Sequence, residues 1–224
     1  MNEAQYRALR EQMVDALATC SDLHDARVIE AMRRVPRHLF VPEAQAAHAY
    51  ENRPLPLPHG QTISQPLMVA LMLQAATLSG SDNVLEVGAG SGYQAALLAQ
   101  LAAKVTSIET LPELAAGARV ALRAAGASGV SVVDGDGSLG YPASAPYDCI
   151  LVAAAAPRVP QPLLDQLAPG GRLVVPVGAY YEQALVVMIR EKDGTLSRRE
   201  EGPCSFVPLV GAEGWPHGAA NDGA

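Results

Sequence analysis

Over the first eighty residues the apolar positions recur at intervals of three and four. From Glu3 to Ala18 they place Tyr6, Leu9, Met13, Ala16 and Leu17 on one face, which predicts an amphipathic helix. Asp25 stands where a helix N-cap would, with Val28, Ile29, Met32 and Val35 as the inward stripe and Pro36 as the stop. A loop carrying Pro42, Pro54, Pro56 and Pro58 follows. A third helix is then expected with Ser64 as its cap, Pro66 in its first turn and the apolar run 67–72 behind it.

From Asn83 the rhythm changes. Short β-branched runs at 83–87, 104–108, 130–133, 148–152 and 172–177 alternate with helical stretches at 94–101, 112–125 and 160–167. Apolar strands separated by helices predict a parallel sheet covered on both faces. The runs 184–190, 196–199 and 205–210 have no long helices between them and read as antiparallel edge strands. The expectation is one α/β domain over 1–224. It comprises a helical N-terminal lobe (1–80), a Rossmann-like core (81–215) and a small, polar, flexible tail (216–224).

Composition narrows the function. The net charge is −7, and the Arg33-Arg34 and Arg198-Arg199 pairs do not make a basic face, so a nucleic-acid partner is not expected. The three cysteines, Cys20, Cys149 and Cys204, are too few and too far apart for a disulfide framework or a zinc site. The histidines form no metal-ligand pair, so no metal is expected. The charged N-terminus is unlike a secretion signal, and no long apolar run suggests a membrane span. These features predict a soluble, cytoplasmic protein.

The candidate chemistry begins at Glu86-Val87-Gly88-Ala89-Gly90-Ser91-Gly92-Tyr93, a strand running into a glycine turn that opens a helix. Ligands of open α/β sheets lie at this end of the first strand. A dinucleotide loop, G-x-G-x-x-G, would need glycine at position 93, which is Tyr. The G-x-G-x-G spacing after an acidic strand residue resembles the loop of S-adenosylmethionine-dependent methyltransferases. Glu109 ends the next run, 21 residues beyond Gly88, where a carboxylate can accept both ribose hydroxyls, with Thr110 beside it. Asp136, in Gly135-Asp136-Gly137, ends the third run and can accept from an adenine amino group. His59 reads as an exposed loop residue and Cys149 as inert core. Asp148 is either a binding group or a water-facing strand start.

Upstream, Gly60-Gln61-Thr62-Ile63-Ser64-Gln65-Pro66 is not explained by a generic methyltransferase sheet. Here the chain resembles the protein-L-isoaspartate (D-aspartate) O-methyltransferase family, whose signature is G-x-x-x-T-I-S-x-P closely like this. Val35-Pro36-Arg37, Gly135-Asp136-Gly137, Ala154-Ala155-Ala156-Pro157, Pro169-Gly170-Gly171-Arg172-Leu173 and Phe206-Val207-Pro208-Leu209 extend the similarity from about residue 5 to 215. The resemblance implies an S-adenosylmethionine-dependent enzyme that methylates the α-carboxylate of isoaspartyl residues in damaged proteins, starting repair through a succinimide. It implies that Thr62, Ile63 and Ser64 lie beside the cofactor's methyl sulfonium, with the Ser64 hydroxyl near the transferred group. Glu86 and the loop Gly88, Ala89, Gly90, Ser91 and Gly92 would hold the methionine half, Glu109 and Thr110 the ribose, and Asp136-Gly137 the adenine. Gln61, Val207, Pro208 and Leu209 would face the peptide, and a monomer is implied. Two readings with the same cofactor stay open: an enzyme for one dedicated carboxylate, and a non-catalytic adenosyl-binding module.

Overall fold

A computed structural model describes residues 1–180 and 182–216. The predicted flexible tail, apart from Pro216, lies outside the described residues. Helix α1 (Glu3–Ala18) opens on a reciprocal capping box: the Asn2 side chain accepts from the Gln5 amide, and the Gln5 side chain accepts from the Asn2 amide. Helix α2 (Ala26–Arg34) is capped by Asp25, whose carboxylate accepts from the Arg27 and Val28 amides. Two short strands, β1 (Leu55–Pro56) and β2 (Thr62–Ile63), pair as an antiparallel ribbon.

Helix α3 (Pro66–Ala75) corrects one expectation. Its N-cap position is Gln65, with no side-chain cap bond, so Ser64 lies one residue before the cap. Ser64 instead ends the ribbon, and its carbonyl accepts from Nη2 of Arg37 at 2.9 Å.

The core follows in the order β3 (Asn83–Val87), α4 (Tyr93–Leu98), β4 (Lys104–Glu109), α5 (Pro112–Ala124), β5 (Val130–Asp134), β6 (Tyr147–Val152), α6 (Gln161–Asp165), β7 (Leu167–Ala179), β8 (Glu182–Arg190) and β9 (Leu196–Cys204). The seven strands lie side by side as β5-β4-β3-β6-β7-β8-β9, parallel from β5 to β7 and antiparallel across β8 and β9. Alternate residues feed opposite faces. Val84 and Leu151 pack with the N-terminal lobe, while Leu85 and Ile150 pack with Leu163 and Leu164 of α6.

Two strand expectations change. β9 runs on to Cys204, past the predicted stop at 199, because a water-facing edge strand tolerates Glu200, Glu201 and Pro203. The segment 205–210 is not a sheet strand. It leaves the edge and crosses to the loop after β6, where Ala155 N donates to Val207 O and Leu209 N to Ala155 O, each at 2.8 Å. Pro208, which has no amide to give a ladder, sits between those two bonds. No helix among the described residues is long and apolar enough to cross a membrane.

Candidate active site

Strand order reverses at β3, which lies between β4 and β6. Helices cannot cover the carboxyl ends of the strands at such a point, and a cleft opens there. In this chain it is a cavity of about 230 Å³. Its floor is the glycine loop, in which Gly88, Gly90 and Gly92 have φ of +90°, +52° and +86°. These left-handed angles bring backbone amides close to the cavity where a side chain would strain the turn. Gly88, Ala89, Gly90 and Ser91 line the space. Gly92 does not; a Cβ there would meet Ala118 and Leu122 at 3.3 Å, so its smallness serves the packing of α4 on α5.

Two buried carboxylates flank the loop. Glu109 Oε2 accepts from the Gly90 amide at 2.8 Å and Oε1 from the Leu111 amide at 3.0 Å, so the strand end fixes the loop's shape. Glu86 is completely buried. The Ser107 hydroxyl donates to its Oε2, while Oε1 has no partner of good geometry. Burial pushes the Glu86 carboxyl up to about 8, against the hydrogen bonding of Ser107 and Gln94 and with the help of the nearby Glu109 charge.

Across the cavity, Gln61, Thr62, Ile63 and Ser64 form one wall, and Val207, Pro208 and Leu209 another. Thr110 and Gly137 complete the set that sequence placed here. Asp136 stands apart. Its Oδ1 accepts from the Ser138 amide and hydroxyl, at 2.9 and 2.7 Å, and its Oδ2 from the Ala212 amide at 2.8 Å. A second cleft of about 210 Å³, lined by Pro54, Gln65, Met68, Ser205 and Phe206, shares Thr62, Ser64, Ala153 and Val207 with the first.

Several lining residues were not singled out from sequence. Tyr93, Gln94, Ile108, Leu111, Leu114, Ala153 and Ala154 all reach the cavity. Most are apolar positions indistinguishable in sequence from core. His59, expected exposed, is exposed and also on the rim. Arg37 stood out only as part of a motif, yet its buried guanidinium ties the lobe to the site. It donates through Nε to Ala49 O at 2.9 Å, holds the Ser64 carbonyl, and stacks 4.8 Å over the Tyr93 ring. Burial lowers it to about 10, partly offset by Tyr93 and Tyr50, so it stays cationic at neutral pH. Cys149 is core, its thiol pushed up to about 12 by burial. Asp148 lines neither cleft described here, and its Oδ2 accepts from the Asn83 amide at 2.8 Å. Among the described residues no cluster of three or more His, Cys, Asp or Glu is placed to hold a metal.

A family model described as protein-L-isoaspartate(D-aspartate) O-methyltransferase matches residues 8–214, nearly the whole chain. The chain belongs to the protein-L-isoaspartate(D-aspartate) O-methyltransferase family. A curated relative, the protein-L-isoaspartate O-methyltransferase of Methanoculleus marisnigri, is 53% identical over 209 residues, covering 93% of this chain and 94% of its own. Among solved structures, a protein-L-isoaspartate O-methyltransferase superposes with a TM-score of 0.82 at 28% identity, over 92% of this chain and 67% of that one. A family structure from Plasmodium falciparum, in complex with S-adenosyl-L-homocysteine, has a TM-score of 0.80 at 23% identity, over 90% and 98% of the two chains. That second likeness bears on the fold, a Rossmann-like methyltransferase sheet.

Proposed function

We infer that this chain is an S-adenosylmethionine-dependent methyltransferase acting on the α-carboxylate of L-isoaspartyl residues in damaged proteins and peptides, the first step of repair through a succinimide. The observation that carries the reading is the acidic lining of the cavity. Two buried acidic side chains, Glu86 and Glu109, flank a glycine loop, and among the described residues no Lys or Arg lines the space. Such a site suits a ligand that is cationic at one end and carries hydroxyls at the other.

The family's cofactor fits these groups. Glu86, completely buried beside the loop, has one oxygen held by Ser107 and the other only loosely approached by Gln94, and the amides of Gly88 to Ser91 suit the methionine half. In this reading Glu109, with Thr110 beside it, takes the ribose, and Gly137 the adenine. S-adenosylmethionine supplies an activated methyl group on a positively charged sulfur. The chain's own residues then have to align and desolvate an acceptor. A carboxylate acceptor is already ionised at neutral pH, so no general base is required. Strong cations there would hold the attacking carboxylate more firmly before it loses charge than after, which argues for the uncharged hydroxyls of Thr62 and Ser64. Ser64, free of any capping duty, is the positioning donor in this reading, and Gln61 with Val207, Pro208 and Leu209 faces the peptide. In this reading the chain works as one domain, as a cytoplasmic monomer, without nucleic acid or membrane; its acidity speaks against a nucleic-acid partner and its three free cysteines suit a reducing compartment.

The test pairs methyl-labelled S-adenosylmethionine with two peptides that differ only in one L-isoaspartyl or L-aspartyl residue. Base-labile methyl esters on the isoaspartyl peptide alone are expected. Label on neither, with cofactor still bound, would reject the acceptor and favour a dedicated carboxylate.

A further inference from the structure

The segment that leaves β9 carries the peptide-facing wall, so something must hold it in place. Its first half is fixed by Gln183, whose side chain accepts from Phe206 N at 2.7 Å and donates to Phe206 O at 3.2 Å. Its middle is fixed by the two bonds to Ala155. Its far end turns at 211–215 and closes on itself, with Trp215 N donating to Leu209 O at 2.6 Å. That turn docks on one small polar cluster. Ser138 Oγ accepts from Glu213 N at 3.0 Å and donates to Asp136 Oδ1, while Asp136 Oδ2 accepts from Ala212 N. Ser138 is completely buried and lines neither cleft. Gly211 faces the same cluster so closely that a Cβ would lie 2.1 Å from Asp136 Oδ1 and 2.6 Å from Ser138 Oγ.

We propose that Ser138 is a positioning residue for the acceptor side of the site: with Asp136 it latches the turn at 211–213 and so holds Val207, Pro208 and Leu209 against the acceptor. The inference rests on the methyltransferase reading above. Asp136 then has a duty besides the adenine contact expected of it: its carboxylate anchors the strap, while Gly137 lines the cofactor space. The latch and the cofactor site are thereby neighbours in sequence with separate duties, and they should separate in measurement.

The experiment compares wild type with Ser138→Ala, an almost isosteric change that removes the hydroxyl, and with Gly211→Ala, which forces the turn off the same cluster. For each, the KM for an isoaspartyl peptide, kcat, affinity for S-adenosylhomocysteine and backbone amide exchange over 207–213 are measured. Loss of one or two hydrogen bonds predicts a KM raised about five- to tenfold, with kcat and S-adenosylhomocysteine affinity within about twofold. Amides 207–213 should exchange faster in both variants. A parallel loss of S-adenosylhomocysteine affinity would overturn the proposal, because the cluster would then serve the cofactor or the fold as a whole. Unchanged exchange or unchanged KM would overturn it too. Should wild type leave the isoaspartyl peptide unmethylated, the acceptor reading fails, while amide exchange and S-adenosylhomocysteine affinity still decide the latch.

Discussion

The two ends of the parallel strands are built to opposite rules. At the amino ends the polar groups close on one another. The Arg172 guanidinium donates to the carbonyls of Ala76, Thr77 and Asp148 and pairs with the Asp82 carboxylate. The Asn83 amide group donates to Ser144 O and Pro146 O, both at 2.8 Å, and only its Oδ1 is left over. At the carboxyl ends Glu86 Oε1 and Gln94 Nε2 are buried with only a poorly aligned approach to each other, and both residues line the cavity. A buried polar atom left poorly paired costs up to about 1–3 kcal/mol, so such a pair on the cavity wall contrasts with the closed network at the amino ends. The lesson is that one end of the sheet is spent on stability and the other is kept incomplete for a ligand to finish.

The most forceful way to break that contrast is to disrupt the closed end. Arg172 and Asp82 side chains are only 13% and 9% exposed, so Arg172→Ala leaves a buried carboxylate unpaired. A loss of about 3–5 kcal/mol is expected from urea unfolding. Affinity for S-adenosylhomocysteine, measured well below the unfolding midpoint, should stay within about twofold. A comparable loss of affinity would mean that the two ends are not separate in function.

A smaller effect is expected at the open end. Glu109→Ala removes the acceptor for the Gly90 and Leu111 amides and, in the proposed role, for the ribose hydroxyls. Charge-assisted hydrogen bonds of about 1.5–3 kcal/mol each predict at least a tenfold weaker binding of S-adenosylhomocysteine by calorimetry. Unchanged affinity would remove Glu109 from the ligand site and leave it as a loop anchor.

How much of this was legible in sequence follows from the kind of signal each residue leaves. The Asp25 cap, the glycine loop and the carboxylates at 86 and 109 are local patterns, each fixed by spacing within a few residues of a strand or helix end. Arg37 and Ser138 are not. Arg37 reaches the carbonyl of a residue 27 positions away, and Ser138 meets the amide of one 75 away. Backbone partners look the same at every position, so no residue pattern marks them. The reading of 205–210 as an edge strand failed for a related reason: its β-branched and aromatic residues suit an extended chain, but which neighbour it pairs with is decided by the fold. Ser64 shows the converse error. A Ser before a helix has a strong local meaning, and here the ribbon and Arg37 override it.

The finest test of the contrast is electrostatic. In the folded protein burial pushes the Glu86 carboxyl up to about 8, well above its ordinary 4.5, because it penalises the charged form. Between those two values the folded state binds a proton that the unfolded chain releases. Stability therefore falls as pH rises through this window, by about 1 kcal/mol per pH unit from this group, and levels off above 8. Glu86→Gln removes the dependence, so the difference in unfolding free energy between wild type and variant should shift steadily from pH 5.5 to 8 and then flatten. A ligand that places a cationic group against Oε1 favours the ionised carboxylate. Binding of S-adenosylhomocysteine at pH 7 should then release a proton in wild type and not in Glu86→Gln, read by calorimetry in buffers of different ionisation enthalpy. A pH-independent stability difference would mean that Glu86 is already ionised in the free protein. Its poorly paired oxygen would then lose its standing as an acceptor held in reserve, and the incompleteness of the carboxyl end would need another cause.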